Sequence, residues 1–139
     1  MIQIRHGSIF DSGAAALVNP VNCQGVMGAG LARQFARRFP HILQPYERAC
    51  AAKKIRPGTV LPIAGPPTVI CLPTKIEWKN PSTLELVETG CAALVAYIVD
   101  HGIHSCAVPA LGCGLGGLQW PDVFAALKAA FSPLVCEVE

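Results

Sequence analysis

Ala16-Leu-Val-Asn-Pro-Val-Asn22, then Gly25-Val-Met-Gly-Ala-Gly30, then Leu31-Ala32 is the stretch that decides the fold. Ala15 to Val18 is an apolar run that meets polar Asn19, the pattern of a buried strand running into a loop. Leu31, Phe35 and Phe39 recur at helical spacing until Pro40 stops them. A buried strand that opens through glycine into a helix is the repeating half of an α/β sheet. The pattern returns near the other end. Cys106 to Leu111 reads as a buried strand, breaks into Gly112-Cys-Gly-Leu-Gly-Gly117, and leads to a helix carrying Val123, Phe124, Leu127 and Phe131.

The segments around these units fit the same class. Residues 2–5 alternate and predict a strand, and Leu134 to Val138 predicts a closing one. Thr59 to Ile63 and Thr68 to Leu72 flank Gly65-Pro66-Pro67 as two strands around a turn. A short helix is expected near Pro45, a residue suited to a first helical turn. The longest helix is expected to start at Ser82 as N-cap, with Glu85 completing a capping box. Its apolar stripe is Leu84, Val87, Cys91, Leu94, Val95 and Ile98, and Gly102 ends it. The expectation is one domain over residues 1–139, an α/β sandwich with a largely parallel or mixed sheet.

Composition narrows the function classes. Hydrophobic residues make up 52% of the 139 and charged residues 14%, which excludes a disordered chain. No apolar run approaches the roughly 18 residues of a membrane span, and no signal-peptide pattern opens the sequence. A cytoplasmic protein with no membrane contact is expected. The seven cysteines include no CxxC pair and read as buried free thiols in a reducing compartment. No metal-ligand spacing occurs, so no metal and no cofactor are expected. A net charge of +2 does not by itself establish nucleic-acid binding.

Two glycine loops before helices suggest a ligand gripped from both sides. Helix N-termini present free N–H groups, and glycine lets backbone approach a phosphate, so a diphosphate is the natural candidate. The first loop lacks GxGxxG spacing, and no GxxxxGK[ST] occurs. Asn19 and Asn22 offer donors and acceptors for vicinal hydroxyls, or satisfy a turn. Lys75, at a strand's carboxyl end, can meet an anionic or electrophilic ligand or lie at the surface, with Lys79 as its competitor. Trp78 can stack on a base or cover the core edge. Cys113 has no base beside it and reads as a small residue lining a phosphate site. His6, His41, His101 and His104 adjoin no loop serine or cysteine.

Four segments together resemble a macrodomain: 16–22, 25–32, Leu72-Pro-Thr-Lys75 and Pro109-Ala-Leu-Gly-Cys-Gly-Leu-Gly-Gly-Leu-Gln-Trp120. Within that superfamily the chain most resembles the DNA ADP-ribosyl glycohydrolase antitoxins, and more distantly the terminal ADP-ribose protein glycohydrolases. The resemblance implies a three-layer α-β-α sandwich with a mixed sheet of about six strands and ADP-ribose in a cleft across its top. It implies Lys75 and Asn22 as catalytic residues, Lys75 engaging the ribose C1″ region and Asn22 the distal ribose. The implied ADP-ribose contacts are Ser8, Ile9, Asn19, Asn22, Val26, Met27, Gly28, Ala29, Gly30, Pro73 and Thr74. From the second loop they are Leu111, Gly112, Cys113, Gly114, Leu115, Gly116, Gly117 and Leu118.

The implied reaction removes ADP-ribose from thymine in single-stranded DNA. The implied partners are that DNA, ADP-ribose and a cognate ADP-ribosyltransferase toxin, with the protein a monomer. Two positions depart from the wider family. Ser8 follows Gly7 where many members carry an adenine-binding aspartate, and Gly116 stands where the protein-directed enzymes carry one. The latter favours the DNA-directed branch, whose members often carry a second, toxin-neutralising domain. Hydrolysis of ADP-ribosyl-glutamate or ADP-ribose 1″-phosphate is the competing enzyme reading, and a reader of ADP-ribose without turnover the non-enzymatic one.

Overall fold

The structure is a computed structural model, and it describes residues 2–131 and 137–138. The strands are β1 (Ala16–Val21), β2 (Leu61–Ile63), β3 (Thr68–Pro73), β4 (Ser105–Ala107) and β5 (Glu137–Val138). The helices are α1 (Gly30–Arg38), α2 (Leu43–Ala51), α3 (Leu84–His101) and α4 (Trp120–Phe131). Among the described residues the strands form one sheet in the order β2-β3-β1-β4-β5. β1 pairs in parallel with β3 and β4, β4 in parallel with β5, and β2 runs antiparallel at the edge.

Both faces of the sheet are covered, and this explains the continuous apolar runs. Ala16, Val18, Ile70 and Leu72 face α3 and α4, meeting Val87, Cys91, Leu94, Ile98, Val123, Leu127 and Phe131. Leu17, Val21, Val69 and Cys71 face the other way, into a second core with Phe35, Ile42, Tyr46, Ala49 and Cys50. The three-layer α-β-α sandwich follows from that period-two division. No described helix is long and apolar enough to cross a membrane. Burial pushes the Cys71 and Cys91 thiols up to about 12, which suits core residues rather than nucleophiles.

Among the described residues five strands stand where about six were expected. Residues 2–5 supply only a bridge at Ile2, because Ile2 packs on the core while Gln3, Ile4 and Arg5 are exposed. β4 stops at Ala107 instead of Leu111. β2 begins at Leu61 because Thr59 is held in a turn, its hydroxyl donating to Arg56 O at 2.7 Å. Of the expected strand over 134–138, only 137–138 lie within the described residues.

The N-cap of α3 is Thr83, not Ser82. Thr83 Oγ1 accepts from Leu86 N at 3.2 Å, so no capping box with Glu85 forms. Ser82 is displaced because its N–H donates to Gly116 O at 3.0 Å, pinning it beneath the second glycine loop. Gly102, with φ 60°, ends the helix as expected.

Gly90 lets α3 approach β3. A Cβ there would lie 2.7 Å from Leu72 Cδ2, inside a fully buried side chain. Helix propensity alone favours alanine over glycine by about 1 kcal/mol. Overpacking costs about 1–3 kcal/mol. Gly90→Ala is therefore expected to destabilise by about 1 kcal/mol in urea unfolding, reversing the sign that propensity predicts.

Candidate functional site

Parallel pairing places the C-terminal ends of β1, β3 and β4 on one edge, where ligands of α/β sheets bind. A cleft of about 760 Å³ opens there. Eleven of the expected contact residues line it: Asn22, Val26, Gly28, Ala29, Gly30, Thr74, Lys75, Gly112, Gly114, Leu115 and Gly116. Pro20, Val21, Leu31, Ala32, Trp78, Lys79, Ser82 and Ala110 complete the wall. Lys75 and Lys79 are its charged residues, and no acid is among the described residues that line it.

α1 starts at this cleft with Ala29 as N-cap, no side-chain capping bond and no acid in its first turn. Its first N–H groups are free of side-chain partners, and the helix dipole adds positive potential there, the arrangement that binds an anion. The second glycine loop faces it. Leu118 N donates to Gly112 O at 2.8 Å and Gly117 N to Gly114 O at 3.2 Å, which folds the loop back on itself. The two loops meet across the cleft, where a Cβ on Gly30 would lie 3.2 Å from Leu115 Cδ1.

The first loop is built around Asn22. Its Oδ1 accepts from Gln24 N at 2.9 Å and Val26 N at 3.4 Å, and its Nδ2 donates to Val26 O at 2.8 Å. The buried Tyr46 hydroxyl donates to Asn22, lying 2.8 Å from both its Oδ1 and its backbone O. Burial, then the nearby Cys50 thiol, raises the Tyr46 pKa and keeps the phenol a donor. Asn22 therefore shapes the loop and retains one amide hydrogen for a ligand. Tyr46 gave no signal in the sequence beyond its place in a helix.

The Lys75 loop is stitched to this one. Thr74 N donates to Val21 O at 2.9 Å, Cys23 N to Ile76 O at 3.0 Å, and Trp78 N to Gln24 Oε1 at 3.0 Å. Lys75 is half-buried and its side chain lies on the cleft wall.

Nine expected contacts do not line the cleft, and seven of these line neither it nor the cavity beside it. Asn19 is in the second core, its Nδ2 3.8 Å from Met27 Sδ and 3.9 Å from Cys71 Sγ, because position 19 shares the inward face of β1 with Leu17 and Val21. Met27, Pro73 and Leu111 are buried as packing residues, and Leu118 packs against the core. Cys113 is not among the cleft-lining residues; its thiol turns to Leu111 O at 3.7 Å, and burial raises its pKa. Gly117 is exposed beyond the wall.

Ser8 and Ile9 line a neighbouring cavity of about 800 Å³, which shares Leu31 and Ala110 with the cleft. Ser8 Oγ caps a short 3-10 turn by accepting from Phe10 N at 3.2 Å. Asp11, Gln34, Trp120 and Phe124 line the same cavity.

Gly116 shows why no acid occupies that position. A side chain there would collide with Ser82 and with the Gly112 carbonyl. Gly116→Ala is expected to distort the second loop and weaken ligand binding at least tenfold by calorimetry. Tyr46→Phe removes one buried hydrogen bond, worth about 1 kcal/mol. It is expected to lower unfolding stability by that amount and to weaken ligand affinity severalfold through the loosened first loop. Unchanged affinity in both variants would mean that the loops do not form the binding wall.

The macro domain family model matches residues 18–127. A "DNA ADP-ribosyl glycohydrolase" of Mycobacterium tuberculosis is 41% identical over 139 residues, covering 96% of this chain and 40% of that protein. The chain thus spans about 40% of the length of such relatives. The macrodomain of Thermus aquaticus DarG superposes with a TM-score of 0.94 at 38% identity, covering 99% of this chain and 95% of that one. The Thermosipho africanus DarTG structure in complex with ADP-ribose gives 0.89 at 33% identity, over 95% of this chain and 39% of that one. The chain belongs to the macro domain family.

Proposed function

We propose that this macrodomain binds ADP-ribose in the cleft and removes it from thymine in single-stranded DNA. The observation that carries the reading is the position of Lys75. It lies on the wall of a cleft bounded by two backbone-lined loops, with no acidic side chain beside it among the described lining residues. The backbone groups suit the diphosphate, between the α1 N-terminus and the loop 112–117. The spare amide hydrogen of Asn22 suits the distal ribose. The neighbouring cavity, with Phe124 and Trp120, suits the adenine.

The reaction breaks the bond between C1″ and the base nitrogen, adds a water oxygen to C1″ and returns a proton to the base. Lys75 engages the sugar as that bond opens, and its ammonium also meets the growing charge of the departing base. Enzymes acting on glutamyl esters are expected to use an acid in the second loop, where Gly116 and Ser82 leave no room. The relatives' name supports the DNA substrate. A fusion protein of Thermosipho africanus that joins transferase and glycohydrolase supports a DNA ADP-ribosyltransferase as cognate partner.

The test sets ADP-ribosylated single-stranded DNA beside ADP-ribosylated protein and ADP-ribose 1″-phosphate. Release is expected from the DNA. Lys75→Ala is expected to lower it at least 100-fold while ADP-ribose affinity changes less than threefold. Full activity in the mutant would sink the lysine mechanism. Activity on the protein or the phosphate alone would replace the substrate, and tight binding with no product from any of the three would make the module a reader.

A further inference from the structure

Trp78 is a large aromatic residue that the fold does not use. It is 54% exposed, and among the described residues its ring stacks on no other ring and holds no cation. Trp120, by contrast, packs on Phe124 with centroids 5.4 Å apart. Single exposed hydrophobic residues are ordinary. Trp78 is not single. It shares the cleft wall with Val26, 41% exposed, and Leu115, 69% exposed, one from each glycine loop.

The backbone under the indole is fixed. Trp78 N donates to Gln24 Oε1, Cys23 holds the carbonyl of Ile76 at 3.0 Å, and Asn80 N closes a turn on Glu77 O at 3.1 Å. An exposed ring on an anchored loop loses little entropy when something stacks on it. The charge nearby is positive. Lys75 and Lys79 line the cleft, while Glu77, exposed between them in sequence, does not. An aromatic face beside a cation, three residues from Lys75, matches how single strands are held: a base on the ring and a phosphate on the lysine.

We propose that Trp78 and Lys79 form the contact surface for the nucleic-acid strand that carries the ADP-ribosyl group. Trp78 takes an unstacked base at the cleft mouth and Lys79 pairs with a backbone phosphate. This rests on the DNA-directed reading above and extends it from the ADP-ribose to the strand. An acidic peptide would use the lysines but gain nothing from the indole face.

The test uses protein saturated with ADP-ribose and a fluorescein-labelled eight-nucleotide oligothymidylate, read by anisotropy. Trp78→Ala is expected to weaken binding about tenfold and Trp78→Phe to restore most of it, as stacking requires. Lys79→Ala is expected to reduce the slope of log affinity against log salt by about 0.7, the value for one phosphate on a single strand. Each variant is saturated according to its own measured ADP-ribose affinity, and an unchanged urea midpoint is expected in all three, which verifies folding. Equal oligonucleotide affinity in wild type and Trp78→Ala overturns the proposal, as does a wild type that fails to bind the strand at low salt. Release from modified DNA is assayed in parallel. Trp78-dependent strand binding without release sinks the hydrolase reading and leaves the surface standing.

Discussion

The parallel pairing of β1 with β3 is the constraint on which the rest depends. Its register runs from Ala16 opposite Thr68 to Val21 opposite Pro73 and continues into the Thr74 N–H on the Val21 carbonyl. Backbone groups in a sheet buried on both faces have no solvent to fall back on, so the ladder must be complete. That requirement fixes where both chains leave the sheet. Asn22 emerges beside Thr74, and Lys75 follows one residue later. A one-residue slip would turn every β1 side chain to the opposite core and carry Asn22 away from its partners.

Around this edge glycine lets backbone form part of the cleft wall. Gly28, Gly30, Gly112, Gly114 and Gly116 all line the cleft, and side chains at Gly30 and Gly116 would press on Leu115 and Ser82. Closeness of this kind excludes most alternatives at once. It leaves room for a ligand read by N–H groups and little room for acidic catalysts. Ser82 is only 5% exposed and, among the described residues, its Oγ has no hydrogen-bond partner, a cost of the packing that fills the place an acid would need.

Much of this was legible in the residues. The strand–glycine–helix units at 15–39 and 106–131 gave the fold class and both loops, because apolar periodicity and glycine placement are local signals. The errors came from tertiary partners. Ser82 has the residue type of an N-cap, yet a long-range bond to Gly116 moved the cap to Thr83. Asn19 has the chemistry of a ribose ligand, but strand alternation turned it into the core, where Met27 and Cys71 meet it. Tyr46 was invisible as a site residue because its partner lies 24 positions away.

Asn22 shows how binding and rigidity are joined here. Its carboxamide has two hydrogens and two lone pairs. The oxygen is occupied by Gln24, Val26 and Tyr46, and one hydrogen by the Val26 carbonyl. What remains is a single N–H on the cleft wall, with its direction set by four bonds that do not involve the ligand. A donor oriented before the ligand arrives loses little freedom when it binds. The same reasoning separates affinity from turnover. In the proposed reaction, prearranged amides would hold sugar and diphosphate equally before and after the bond breaks. Acceleration of that reaction needs a group whose interaction grows as C1″ opens, and the group proposed for that on this wall is Lys75.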